Sequence, residues 1–141
     1  MASGLYANYR NLLLGGGSHS LPDLNEDTIM VALRDEGTTA VNLATHQDLA
    51  DISAAVVDAE QVGSPTVGVV AAGVFDHADV TFEGVSGNSV ESLDYYMDSG
   101  SAATSPLICN IDDATGLPVT PNGGDIVWSP DAAGVFVIGQ G

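Results

Sequence analysis

Ser92-Leu93-Asp94-Tyr95-Tyr96-Met97 sets Leu93, Tyr95 and Met97 against Ser92, Asp94 and Tyr96 in strict alternation. Successive side chains on an extended strand point to opposite faces, so this hexapeptide predicts a β-strand. Tyr95 and Tyr96 then face opposite ways, and at most one of them could join a stacking platform. The same signal recurs on both sides. Upstream, Val80 and Phe82 alternate with Thr81 and Glu83, and Gly84-Val85-Ser86-Gly87-Asn88 supplies turn chemistry. Downstream come Leu107, Cys109 and Ile111, a turn at Asp112-Asp113-Ala114-Thr115-Gly116, and Ile126 with Trp128 after Pro121-Asn122-Gly123-Gly124. Residues 135–138 close the series. Short strands at intervals of about ten to fifteen residues, punctuated by Gly, Asn, Asp and Pro, predict a mainly β fold, a sandwich or barrel-like domain.

The N-terminal part reads differently. Leu5, Tyr9, Leu12 and Leu13 lie on one face of a 3.6-residue period, which predicts a short amphipathic helix over residues 2–14. Ser3 can cap its start, and Gly15-Gly16-Gly17 stops it. A loop follows over residues 15–25. In residues 28–34, Ile29, Val31 and Leu33 alternate with Met30, Ala32 and Arg34, a strand signal that Asp35-Glu36-Gly37 ends. Thr45-His46-Gln47-Asp48 predicts a second short helix over residues 46–52, with Thr45 capping and Asp48 reaching back. Residues 54–70 are rich in Ala and Val but broken by Gly63, Pro65 and Gly68, so short strands are expected there. The 141 residues form one domain, with residues 1–16 as helix and glycine stop and residues 26–141 as the β domain.

Charge restricts the partners. Nineteen acids face two bases, Arg10 and Arg34, for a net charge of −17 and no lysine. Binding to phosphates depends on basic side chains that displace counterions, so no nucleic acid partner is expected. Carboxylates at this density repel one another in dilute buffer, and molar salt, with a Debye length of about 3 Å, removes most of that cost. The composition therefore points to a saline environment. No apolar run approaches the ~20 residues of a membrane span, and Leu12-Leu13-Leu14 is too short for a signal-peptide core. No membrane partner is expected.

Chemistry-bearing patterns are sparse. Cys109, the single cysteine, sits in the apolar run Leu107-Ile108-Cys109-Asn110-Ile111 and reads as a buried structural thiol. His19, His46 and His77 lack partners at zinc spacing and read as solvent-facing. Gly84-Val85-Ser86-Gly87-Asn88 lacks the glycine placement of a nucleophile elbow, and Gly15-Gly16-Gly17 lacks the lysine of a phosphate-binding loop. Residues 110–116 fail the ligand spacing of a calcium loop, although Asp112 or Asp113 could share a cation with a neighbouring subunit. No catalytic residue, cofactor or resident metal is expected. Trp128 and the tyrosines read as core or interface.

Several segments carry a resemblance: Met1-Ala2-Ser3-Gly4-Leu5-Tyr6, Val41-Asn42-Leu43-Ala44-Thr45-His46-Gln47-Asp48-Leu49-Ala50-Asp51-Ile52, and Ala78-Asp79-Val80-Thr81-Phe82-Glu83-Gly84-Val85-Ser86-Gly87. The longest runs from Asp98-Ser99-Gly100-Ser101-Ala102-Ala103-Thr104-Ser105-Pro106-Leu107-Ile108 into Asp112-Asp113-Ala114-Thr115-Gly116-Leu117-Pro118-Val119-Thr120-Pro121-Asn122-Gly123-Gly124-Asp125-Ile126. Over nearly the whole length the chain resembles a family of small virion structural proteins encoded by tailed phages. It departs from that family in lacking lysine and in the length and composition of residues 56–70.

The resemblance implies a non-enzymatic place in a virus particle. An acidic chain suits an outer surface better than a DNA-filled cavity, so capsid decoration (cement) is the expected role, with a tail, adaptor or fibre component, including a receptor- or glycan-binding module, as the alternative. The expected partners are the major capsid protein and further copies of the chain in a dimer or trimer. Leu5, Tyr6, Tyr9, Leu12 and Leu13, on a detached N-terminal segment, are the candidate contact residues, unless they complete the chain's own core.

Overall fold

A computed structural model describes residues 4–138. Its described strands are β1 (Gly4–Leu5), β2 (Ile29–Arg34), β3 (Val56–Gln61), β4 (Thr66–Val67), β5 (Val74–Asp76), β6 (Val80–Phe82), β7 (Ser92–Met97), β8 (Leu107–Ile111), β9 (Ile126–Trp128) and β10 (Phe136–Val137). They form three antiparallel sheets, ordered β1-β8-β7-β2-β3, β10-β5-β4 and β6-β9. The fold is mainly β, as expected, in layered rather than closed form, because β1 and β3 are open edges of the main sheet.

The strand with the clearest alternation lies at the centre. Tyr95 of β7 stands between Val31 and Cys109, and Leu93 between Leu33 and Ile111. These residues give the sheet one apolar face, and the two smaller sheets cover it. The ring of Phe75 meets Tyr95 edge-on at 6.2 Å, and Val80, Phe82 and Val85 join the same core. Cys109 is buried there, as its apolar surroundings predict. The second face carries Ala32, Arg34, Ser92, Asp94 and Asn110, and it too is buried. The chain from Tyr6 and the loop through Thr39 and Ala40 close over it.

The N-terminus differs from expectation. The helix α1 spans Ala7–Leu13 only, because Gly4 and Leu5 pair with Asn110 and Cys109 on the edge of β8 and Tyr6 stays extended. Edge pairing satisfies backbone groups that a helix through Gly4 would hold only weakly. The cap assigned to Ser3 lies outside the described residues. The glycine stop is as predicted: the N–H of Gly15 bonds Leu12 O and that of Gly16 bonds Asn11 O, with Gly15 at φ 91°, a Schellman ending. The segment is therefore a sheet edge and packed helix, not a detached arm.

The second helix, α2, spans Leu49–Ile52, and its cap is Asp48 rather than Thr45. The Asp51 carboxylate accepts from the N–H groups of Gln47 (2.7 Å) and Asp48 (3.3 Å). The shift has a cause. Gln47 and Leu49 exchange backbone bonds with Leu107 and Ser105, which holds residues 47–48 extended. Among the described residues no helix is long and apolar enough to cross a membrane.

Candidate functional site

Water-exposed apolar side chains are unevenly spread over this acidic molecule. Among the described residues nine large hydrophobic side chains are exposed, and all but Val127 come from three segments: Leu13, Leu14 and Leu21 at and beyond the end of α1; Val67, Val69 and Val70 in β4 and its turn; Val137 and Ile138 at β10. Leu13, Leu21, Val67 and Ile138 line one groove of about 740 Å³. The other four are their chain neighbours within three residues. Leu14 is 88% exposed and Val69 75% exposed, far beyond incidental surface carbon.

The floor of the groove is aromatic and fixed. Tyr9 meets Phe136 edge-on at 6.2 Å, and Phe136 lies 5.7 Å from Phe75. Burial pushes the Tyr9 phenol up to about 12, so it is neutral at any physiological pH. Gly73 brings the wall together. It sits at φ 76°, accepts a bond from the N–H of Ile138, and a Cβ there would stand 2.2 Å from the Ile138 carbonyl oxygen. Among the described residues Asp23 is the one charged side chain lining the groove. The run from Val62 to Phe75 contains no charged residue in a chain with nineteen acids.

The five candidate contact residues separate on this map. Tyr9 and Leu13 line the groove, and Leu13 is 40% exposed. Tyr6 and Leu12 are buried within the chain, and Leu5 is half-buried in β1 opposite Cys109. Pairing of β1 with β8 turns Tyr6 inward, which withdraws it from the surface.

Tyr6 instead joins a polar cluster on the second face of the main sheet. Arg34 and Asp94 form a fully buried ion pair at 2.8 Å. The Tyr6 hydroxyl donates to Asp94 Oδ1 at 2.5 Å, and Asn110 Nδ2 donates to the same oxygen at 3.1 Å. All five guanidinium N–H groups find acceptors, the rest on Tyr6 Oη, Thr39 O and Ala40 O. Burial, and then the charge of Asp94, pushes the Tyr6 phenol far above its ordinary value, so it remains a donor. With Arg34 inside, Arg10 is the one exposed arginine among the described residues.

The histidines depart from expectation. Neutral His77 is buried in a directed chain: Trp128 Nε1 donates to the Tyr95 hydroxyl (2.5 Å), which donates to His77 Nε2 (2.6 Å), while His77 Nδ1 donates to Ala78 O (2.6 Å). Burial lowers its proton affinity below the ordinary imidazole range. His19 Nε2 lies 3.2 Å from Asp48 Oδ2 and 3.2 Å from Ala103 O, and its Nδ1 lies 3.1 Å from Ser18 Oγ. Although this gives a Ser–His–Asp sequence of contacts, Ser18 Oγ is shared with Asn8 Oδ1 and Gln47 Oε1, and neither Ser18 nor His19 lines a major cleft. The arrangement ties the glycine loop to α1, to the cap of α2 and to the turn at Ala103. His46 is half-buried.

A second cleft, of about 480 Å³, opens beside Trp128 and is lined by Asp113, Thr115, Ser129 and Asp131. Among the described residues no group of three or more His, Cys, Asp or Glu side chains is placed to hold a metal ion. No family model matches the sequence, and no curated protein matches it significantly.

Sequence reasoning missed the apolar face. Its signal was present as the uncharged run Val62 to Phe75 and the uncharged end Gly134 to Ile138, both conspicuous against an acidic background.

Proposed function

We propose that the chain is a non-enzymatic structural component of a tailed virus's particle, a capsid decoration (cement) protein that works in a high-salt environment. It sits on the outer surface of the shell and braces the major capsid protein against the pressure of packaged DNA. The observation that carries this reading is the uncharged apolar face on a surface otherwise dense in carboxylates. Exposed hydrophobic side chains gathered around one groove suit a surface buried in an assembly. The remaining surface repels DNA, which favours the outside of the shell, and it retains hydration in brine. The resemblance to phage virion proteins agrees with this role, with the major capsid protein and further copies of the chain as partners and neither nucleic acid nor membrane among them. Cryo-electron microscopy of purified particles tests it: the proposal expects density of this fold on the outer face of the capsid, and density confined to the tail would overturn it.

The cleft beside Trp128 favours a second reading, a glycan-binding tail or fibre module. An indole flanked by Asp113, Asp131, Ser129 and Thr115 offers an apolar surface and hydroxyl-binding groups to a neutral sugar. Titration of Trp128 fluorescence with neutral oligosaccharides separates the two, since a saturable shift belongs to the second reading alone.

A further inference from the structure

We propose that the apolar face formed by the end of α1, the β4–β5 turn and β10 closes against the same face of a second copy of the chain. The inference rests on reading this face as an assembly surface and names its occupant. Contact with the shell then falls to another surface of the molecule.

Three observations lead to a second copy. The first is clustering. Leu13, Leu21, Val67 and Ile138, each 40–49% exposed, gather around one groove, and Leu14, Val69 and Val70 stand exposed within three residues of them; scattered single hydrophobics are ordinary surface, a gathered set is not. The second is charge. A second copy also carries −17, and most approaches between two such chains set carboxylate against carboxylate. This face is the exception, because among the described residues Asp23 is the one charge lining the groove and the run Val62 to Phe75 has no charge at all. Molar salt screens what repulsion remains at the rim and strengthens apolar burial. The third is the edge. β10 is an outer strand of its sheet and bears neither a charged residue nor a proline; at two residues it is short, so contact there is made by side chains rather than by a paired ladder. Val137 and Ile138 stand exposed there. A surface that meets its own copy gives a closed two-fold dimer.

Sedimentation velocity and light scattering on the purified full chain in molar NaCl test this directly. The wild type is expected at the mass of a dimer. Leu14→Asp and Val69→Asp, both at highly exposed positions, are expected to give monomers with unchanged circular dichroism. Val127→Asp, exposed but away from the face, is expected to keep the oligomer. A wild type that stays monomeric at every concentration and salt overturns the inference, as does a Val127→Asp chain that dissociates as readily as Val69→Asp. Monomeric wild type together with loss of Val69→Asp from particles would assign the face to a different protein. Particle composition is measured separately, so the assembly role can fail without the oligomer failing, and the reverse.

Discussion

Asp94→Asn places the greatest demand on the fold. The substitution keeps the shape of the side chain but leaves Arg34 buried without a counter-charge. It also turns one acceptor into an N–H₂ group among donors, because Tyr6 and Asn110 point at Oδ1 and Arg34 at Oδ2. Breaking a buried ion pair from one side costs about 3–5 kcal/mol. A domain of this size has about 5–15 kcal/mol in all, so about a fifth or more of its stability goes. At about 3–4 °C per kcal/mol for this length, the melting temperature falls by about 10–20 °C. Arg34→Met should cost a similar amount, since it leaves Asp94 charged and strips Thr39 O and Ala40 O of their donors. In Arg34→Met/Asp94→Asn neither charge is orphaned. The double variant should therefore lose at least about 2 kcal/mol less than the sum of the singles. Calorimetry in molar NaCl measures all three. Additive losses, or an Asp94→Asn loss under about 1 kcal/mol, would refute the assignment of this pair as a mutually dependent buried unit.

Three further outcomes follow from the same geometry. Burial holds His77 below its ordinary value of 6.5, so the unfolded chain takes up that proton first as the pH falls. The His77 contribution is complete above pH 6.5 and shrinks below it; urea titrations from pH 7.5 to 5 should show the decline, and His77→Gln, which keeps an acceptor for Tyr95, should flatten it. Burial pushes the Cys109 thiol well up, so Ellman's reagent should react with native protein no faster than the chain unfolds, and rapid labelling would contradict its place in the core. Surface carboxylates should make the melting temperature climb steeply between millimolar and molar NaCl, and a curve flat in salt would remove the argument for a saline environment.

The strands were legible where alternation was strict. β7, β2 and β8 fall where their period of two puts them, because Leu93, Tyr95, Val31, Leu33 and Cys109 make one continuous apolar face. The second face was not legible. A period of two separates Ser92, Asp94 and Tyr96 from their neighbours but does not say whether water reaches them, and here a loop and Tyr6 do the covering. Helix starts were readable in kind and displaced in position. Thr45 and Asp48 are both competent caps, and the choice is made by backbone bonds to Ser105 and Leu107, more than fifty residues away in sequence. The N-terminal period of 3.6 held from Ala7 onward, while pairing with β8 claimed Gly4 and Leu5. Of the candidate contacts, Tyr9 and Leu13 reach the groove because α1 packs beside β10; Tyr6 and Leu12 go to the interior. The histidine environments depend on long-range partners that no local spacing encodes.

Absolute quantification of this protein against the major capsid protein in purified particles bears most directly on the proposed role. A shell-bracing protein is predicted to be present in many copies, at a fixed ratio to the shell subunit. Its absence from particles, or a mere handful of copies, would contradict the account.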